Sequence, residues 1–466
     1  MARASRSADR PSGSYTDAAF LRAPEQPMQT IDALICPRWT IRVEPEVIAE
    51  EGLAVAIDAG RILAVLPLAE AERAFSPRVR HERSSHALLP GLVNAHTHAA
   101  MALFRGLADD LPLDVWLRGR IWPAEARWVG PEFVADGTRL AIAEMLLGGI
   151  TCFSDMYYYP DVTGNVAQEL GMRAVLGMIA LDLPTAWAAT ADEYLRKGLE
   201  VHDRFKADPL ISTAFAPHAP YTVGDATLTH IRRLADELDL QIHMHLHETS
   251  AEIDDELAAS GRRPLARLAA LGLVTPALIG VHATHVLPDE IAALAYAGAC
   301  VVHCPRSNLK LASGFCPVAR LVDAGVTVAL GTDGAASNNR LDLWAEMQTA
   351  ALLAKQVAGS AAVLPAAQAL EMATINDARV LGLVSEIGSV SAGKAADVIC
   401  VDLSGVEHRP LLDPVSALVY SASRDDVTDV WVAGEHLVSE GVALRLDVAE
   451  IAATADRWGQ RLRKEA

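Results

Sequence analysis

His96 and His98 flank a single threonine at the end of the apolar run Leu89-Pro-Gly-Leu-Val-Asn-Ala. Side chains two apart on a strand share a face, so this pair can reach one metal ion from one strand end. A second cluster, Gln241-Ile-His-Met-His-Leu-His-Glu-Thr, sets His243, His245 and His247 at alternate positions, and Glu248 opens the next loop. Buried imidazoles need polar partners, so three on one interior face point to ligation, with a packing role open for at least one. Asp333, in Gly331-Thr-Asp-Gly after an apolar run, is a ligand or base candidate, or the cap of a turn. His218 (Ala216-Pro-His-Ala-Pro-Tyr), His282 (Ile279-Gly-Val-His) and His303 (Val301-Val-His-Cys) end further runs. Singly, each is more readily a hydrogen-bonded structural histidine. Together, imidazoles and carboxylates at successive strand ends form the donor set of a divalent-metal site.

Such residues need a frame that brings strand ends together. Candidate strands end near His98, Asp155, Ile179, His218, Glu248, His282, Cys304 and Asp333. Stretches at 227–238 and 288–297 between them carry apolar residues at helical spacing. Eight β/α units predict a TIM barrel, an α/β fold whose chemistry sits where the strands end. Before it, alternating runs at 40–43, 53–57 and 61–65, with an Asp58-Ala-Gly60 turn, predict a small sheet containing a hairpin. Runs at 396–402 and 429–438 read the same way. Neither end has enough strands to close a core, which predicts one β-sandwich built from both. The expected division is a flexible leader over 1–28, sandwich parts at 29–88 and 388–443, a barrel over 89–387 and a C-terminal helix within 444–466. A closing helix is expected at 371–383 and an amphipathic one at 448–463.

The 466 residues, 51% hydrophobic and 21% charged, have the texture of a globular protein. A net charge of −19 disfavours a nucleic-acid partner, because phosphates would be repelled. No apolar run approaches the roughly 18 residues of a membrane span, and no secretory signal stands at the start. Six scattered cysteines without a CxxC suggest reduced thiols and a cytoplasmic setting; for Cys304 and Cys316, packing is preferred to redox chemistry. The Walker A-like Gly388-Ser-Val-Ser-Ala-Gly-Lys-Ala ends in alanine where a magnesium-binding hydroxyl is required, so it reads as a turn into a strand. The H-x-E…P-C-x-x-C pattern of the cytidine-type zinc deaminases is absent.

Several longer motifs resemble one family: PGLVNAHTHAAMALFRGLADDLPLDVWL, IWPAE, APHAPYT, HMHLHET, VHATH, HCPRSNLKLASG, GTDGAASNN and IGSVSAGKAADVICVDL. In this order they resemble the amidohydrolase superfamily, and within it the methylthioadenosine/S-adenosylhomocysteine deaminases and the related triazine chlorohydrolases. The resemblance implies that His96, His98, His245 and Asp333 hold one divalent metal, Zn²⁺ first, with Fe²⁺ or Mn²⁺ as alternatives. It assigns proton transfers to Glu248, His282 and Asp333, the ribose hydroxyls to Glu125 of IWPAE, and the purine ring to His218. No lysine ends the fourth barrel strand, which favours a mononuclear site. The implied reaction is hydrolytic deamination of an adenosine-type nucleoside, releasing ammonia and the inosine analogue. Members accepting S-adenosylhomocysteine place arginines after the third barrel strand, whereas here none occurs between Arg173 and Arg196. The expected preference is therefore 5′-methylthioadenosine, then adenosine, then S-adenosylhomocysteine. The alternatives are a triazine or guanine hydrolase on the same metal site and a non-catalytic binder. Glu125 and His218 argue against the first, Glu248 with His282 against the second. A homo-oligomer without membrane or nucleic-acid partners is expected, with His243, His247, His285 and His303 supporting the ligands.

Overall fold

The computed structural model describes residues 28–464. Apart from Met28, the expected flexible leader lies outside the described residues. Strands from the N-terminal part are β1 (Gln29–Arg42), β2 (Ile48–Glu51), β3 (Leu53–Asp58), β4 (Arg61–Pro67) and β5 (Phe75–Pro90). The barrel strands follow as β6 (Leu92–Thr97), β7 (Ile150–Asp155), β8 (Arg173–Ala180), β9 (Ile211–Pro217), β10 (Ile242–Leu246), β11 (Leu278–His282), β12 (Cys300–His303) and β13 (Val328–Leu330). The chain then returns through β14 (Val398–Asp402), β15 (Val427–Val432), β16 (Glu435–Ser439) and β17 (Val442–Ala443).

Strands β6 to β13 pair in sequence order, all in parallel, with helices outside. This is the predicted (β/α)₈ architecture. Loop contacts join the first and last strands: Asp333 N donates to His96 O at 3.0 Å, and Thr332 N to Asn94 Oδ1 at 3.0 Å. Gly331 permits that approach, since a Cβ there would stand 2.8 Å from His96 Cβ and 2.9 Å from its carbonyl oxygen. Apolar residues such as Val93, Val175, Ala214, Val281 and Ala329 fill the barrel interior, and Ala378, Val380 and Leu381 join the same cluster. The helix expected over 371–383 is two helices, Ala366–Met372 and Ile375–Val380, broken at Thr374 (φ −137°, ψ −92°).

The two chain ends hydrogen-bond into one nine-stranded sheet, joined where β5 runs antiparallel to β14. The β3–β4 hairpin turns at Ala59 (φ 48°) and Gly60 (φ 80°), two left-handed residues as a type I′ turn requires. That turn packs on the β15–β16 turn: a Cβ on Gly60 would lie 2.7 Å from Ala433 O. The sheet thus rolls over a shared core of Ile35, Val55, Ile57, Val398 and Trp431. Its layers are parts of one sheet. Arg173, at the start of β8, ties sheet to barrel through two hydrogen bonds to Asp397, at 2.8 and 3.0 Å.

The Walker A-like segment is a turn entering β14, with Lys394 Nζ donating to Glu44 Oε2 at 3.1 Å. All six cysteines are free thiols, and burial raises those of Cys304 and Cys316. Among the described residues, no helix is long and apolar enough to cross a membrane. The amphipathic terminal helix runs Val448–Lys464.

Candidate metal centre and substrate pocket

Pairing of β6 with β7 slips between Asn94 and Thr97. Ala95 faces the barrel interior, and a regular strand would send His96 outward. The irregularity re-aims it inward, as bulges do beside many sites. From β10, His245 meets it: the two Nε2 atoms are 3.2 Å apart. Asp333 Oδ1 lies 3.2 Å from His98 Nε2 and 3.5 Å from His96 Nε2. His96, His98 and His245 offer ligand atoms that all lie within 4.8 Å of one another.

Hydrogen bonds behind the rings set their tautomers. His98 Nδ1–H donates to Met156 O at 2.6 Å, and His245 Nδ1–H donates to His218 O at 2.9 Å. With those Nδ1 protons committed, each ring turns Nε2 into the site, and although burial would lower it, hydrogen bonding and charge from Asp333 raise His98 to about 9. His96 Nδ1 is 2.9 Å from His243 Nε2, and His243 Nδ1 is 3.4 Å from Ser154 Oγ. Asp333 divides its oxygens: Oδ2 accepts from Ser307 Oγ (2.6 Å) and Ser337 Oγ (2.8 Å), while Oδ1 accepts from Gly334 N (2.8 Å) and faces the imidazoles. Burial alone would raise the Asp333 carboxyl; hydrogen bonding and charge from His96 and His98 outweigh it and hold it well below the usual range. Burial, with repulsion from its neighbours, lowers His245 well below the ordinary histidine value and so keeps its lone pair available. Donor atoms about 2.1 Å from a common ion stand roughly 3.0–3.4 Å apart, close to the spacings here. The residues fit a divalent metal.

Two further groups face this point. Ile279 and Val281 belong to the barrel-interior cluster, so continued strand geometry would turn His282 away. Its backbone is instead left-handed (φ 76°), and the ring stacks on His245 with centroids 5.5 Å apart. His282 Nδ1 is 2.8 Å from Asn308 Oδ1 and donates to it, which leaves Nε2 as an acceptor, 3.7 Å from Glu248 Oε2. Glu248 Oε1 accepts from Ser313 Oγ at 3.3 Å. Burial raises the Glu248 carboxyl against the opposing charge of His282.

Above these groups opens a cavity walled by Trp116, Trp122, Tyr157, Tyr221 and Leu311 and lined also by His98, Glu125, His218, His245, Glu248, His282 and Asp333. Glu125 Oε1 accepts from Tyr157 Oη at 2.8 Å, and burial pushes its carboxyl up to about 7 despite that bond. His218 Nδ1 is held by Thr222 Oγ1 at 3.0 Å, and burial together with the charges of His98 and His96 lowers it to about 3. A second, apolar chamber shares Trp122, Glu125 and Tyr158 with the first and is lined further by Val129, Leu181, Leu183 and Pro184.

Every sequence-predicted site residue lines this cavity or, like His96, touches one that does. The remaining histidines separate. His243 contacts His96 directly. His247 takes a left-handed backbone (φ 54°) and leaves the face of His243 and His245; its Nε2 accepts from Leu265 N at 3.0 Å, anchoring the helix Pro264–Ala270. His285 bonds Ser313 O at 2.7 Å, and His303 does not line the cavity. Sequence reasoning passed over Ser307, Asn308 and Ser313, although all three lie in the motif HCPRSNLKLASG, and over Tyr157, which no motif marked.

Residues 87–437 match the amidohydrolase family. A protein of Teredinibacter turnerae named 5-methylthioadenosine/S-adenosylhomocysteine deaminase is 49% identical over 433 residues, covering 93% of this chain and 98% of its own. A Saccharophagus degradans protein of the same name is 46% identical, with 93% and 97% covered. Among solved structures, an adenosine deaminase from Xanthomonas campestris with bound zinc superposes with a TM-score of 0.93 at 52% identity, covering 94% of this chain and all of that one. A zinc complex of atrazine chlorohydrolase from Arthrobacter aurescens gives 0.85 at 25% identity, with 91% and 99% covered.

Proposed function

This chain belongs to the amidohydrolase family, and from that premise we propose that it is a metal-dependent deaminase of adenosine-type nucleosides, with 5′-methylthioadenosine its best substrate. The observation that carries the reading is the convergence of three imidazole Nε2 atoms and Asp333 Oδ1 beneath a cavity that also presents Glu125, His218, Glu248 and His282. The names of the relatives in Teredinibacter turnerae and Xanthomonas campestris support the same reaction class.

In this reading His96, His98, His245 and Asp333 hold one divalent ion, Zn²⁺ ahead of Fe²⁺ or Mn²⁺. When bound, such an ion would supply Lewis-acid activation of water, lowering its pKa to about 7. The chain's own groups do the rest. Glu125 accepts hydrogen bonds from the ribose hydroxyls, and His218 orients the purine through Nε2. Asp333 and His282 take the proton of the attacking water as its oxygen bonds to the amine-bearing ring carbon. Glu248, whose raised pKa favours the protonated form, delivers a proton to the adjacent ring nitrogen. The proton taken from water passes to the amino group, the carbon–nitrogen bond breaks, and the remaining hydroxyl proton returns to Glu248 as the ring carbonyl forms. One nucleoside and one water become the inosine analogue and ammonia.

The apolar chamber beside Glu125 supports the order of substrates. A ribose held by Glu125 places its 5′ substituent toward Val129, Leu181 and Leu183, and no arginine or lysine lines that chamber. Arg173 is spent on Asp397, and Arg196 pairs with Glu200. A thiomethyl group buried there gains roughly 1–2 kcal/mol over a hydroxyl, about tenfold in kcat/KM. The carboxylate of S-adenosylhomocysteine finds no charged partner in the chamber, and a hydrogen bond to such a group contributes about 1.5–3 kcal/mol. Ammonia release from the three nucleosides and guanine, beside chloride release from a chlorotriazine, tests this. Methylthioadenosine should lead; S-adenosylhomocysteine in first place overturns the order, and turnover of the triazine or guanine alone overturns the substrate class.

A further inference from the structure

Between β14 and β15, two short turns bring Glu407, His408 and Asp426 together, and none of the three lines the catalytic cavity. We propose that these residues form a second divalent-metal site of the zinc class, independent of the catalytic one. The three side chains each offer one ligand atom, all within 4.8 Å of one another. His408 Nε2 lies 3.7 Å from both Glu407 Oε1 and Asp426 Oδ1.

The imidazole is aimed at this point and has no partner there. Its side chain is 0% exposed, and Nε2 makes no hydrogen bond. Ser421 Oγ donates to Ala417 O at 3.1 Å, so it accepts from His408 Nδ1–H at 3.0 Å, and Nε2 is the ring atom turned toward the two carboxylates. Asp426 is divided as Asp333 is: Oδ2 accepts from Ser423 N (2.7 Å) and Ser423 Oγ (3.2 Å), leaving Oδ1 toward the histidine. Gly405 lets the Glu407 carboxylate fold back over the loop, since a Cβ there would stand 2.2 Å from Glu407 Oε1.

Three potential ligand atoms thus converge, and the two histidine–carboxylate separations exceed the 2.7–3.2 Å of an N–H···O hydrogen bond. Atoms about 2.1 Å from one ion, as nitrogen and oxygen ligands of zinc are, stand about 3.4 Å apart in a tetrahedron and at most about 4.2 Å. The observed 3.7 Å falls inside that span. Among the described residues no neighbouring cation cancels the two carboxylates: Arg424 bonds Glu144 and Arg409 reaches Ser404 O. Glu407, 52% exposed, leaves room for water to complete the shell. One imidazole with two carboxylates suits Zn²⁺ or a similar borderline ion better than Ca²⁺, which takes six to eight oxygens.

Zinc titration of the full chain with its catalytic site already loaded, read by equilibrium dialysis and metal analysis, tests this. Wild type should take up a second equivalent. E407Q alters an exposed carboxylate and should still fold; it should bind that equivalent more weakly by at least the roughly tenfold that even an outer-shell partner costs. H408Q should do the same, and deamination should be unchanged in E407Q. A single equivalent in wild type in zinc excess, or equal uptake by wild type and E407Q, overturns the proposal and leaves the catalytic assignment standing.

Discussion

His243→Ala removes the acceptor behind His96 while leaving all four proposed ligands in place. The 2.9 Å contact between His96 Nδ1 and His243 Nε2 is enclosed, with the two residues 0% and 2% exposed. A buried donor stripped of its acceptor costs about 1–3 kcal/mol. His96 escapes that cost by moving its proton to Nε2, but the proton then occupies the lone pair that ligation needs. Either way the loss falls on metal binding, and it corresponds to roughly 5- to 150-fold in affinity, spanning the 10–100-fold typical of such partners. Competition with a chelator of known zinc affinity reads the change directly, and a melting curve checks that the variant folds. His243→Gln, which keeps an acceptor on a more flexible arm of similar reach, should recover part of the affinity. At saturating zinc kcat should stay near wild type, because His243 does not line the cavity. Unchanged zinc affinity in the alanine variant, or a collapsed kcat with zinc fully bound, would refute the reasoning.

Three other perturbations separate the roles of neighbouring groups. His282→Ala should retain zinc but lose about 10²–10⁴-fold in kcat, the usual contribution of a positioned base, whereas His96→Ala should lose both; activity within a few-fold of wild type removes His282 from the chemistry. Burial pushes the Glu125 carboxyl up to about 7, and in its proposed role only the carboxylate form accepts from both ribose hydroxyls, so KM should climb as pH falls through about 7 and level off above it. Glu125→Gln should abolish that dependence and raise KM about tenfold; a wild-type KM flat across this range contradicts the assignment. Arg173→Met leaves Asp397 buried without its charge partner (side chains 5% and 1% exposed) and should cost about 3–5 kcal/mol. That should appear as a lower melting temperature with zinc affinity intact, and an unchanged melting temperature counts against it.

The barrel and most of the candidate site were legible because they rest on local pattern. Strands expected to end near Asp155, Ile179, His282 and Cys304 end at Asp155, Ala180, His282 and His303, since each apolar run stops where polar chemistry begins. What pattern missed depends on backbone departures or distant contacts. His247 and His282 both take left-handed backbones, one carrying its ring out of the site and the other bringing its ring in, although alternation alone groups His247 with His243 and His245. The slip in β6 that turns His96 inward is invisible to a period-two reading. The break at Thr374 escaped notice because the apolar residues after it face the barrel interior rather than the stripe of a surface helix. Similarly, most of β5 falls outside the expected runs at 40–43, 53–57 and 61–65; its parallel pairing with β1 and antiparallel pairing with β14 depend on residues far away in the chain.

The central claim is that this site removes the amino group of an adenosine-type nucleoside, and ammonia release from 5′-methylthioadenosine by the zinc-loaded protein measures it most directly. The account predicts one ammonia and one 5′-methylthioinosine per nucleoside consumed, with turnover lost on chelation and restored by zinc. Zinc bound at His96, His98, His245 and Asp333 with no ammonia released from methylthioadenosine, adenosine or S-adenosylhomocysteine would contradict it.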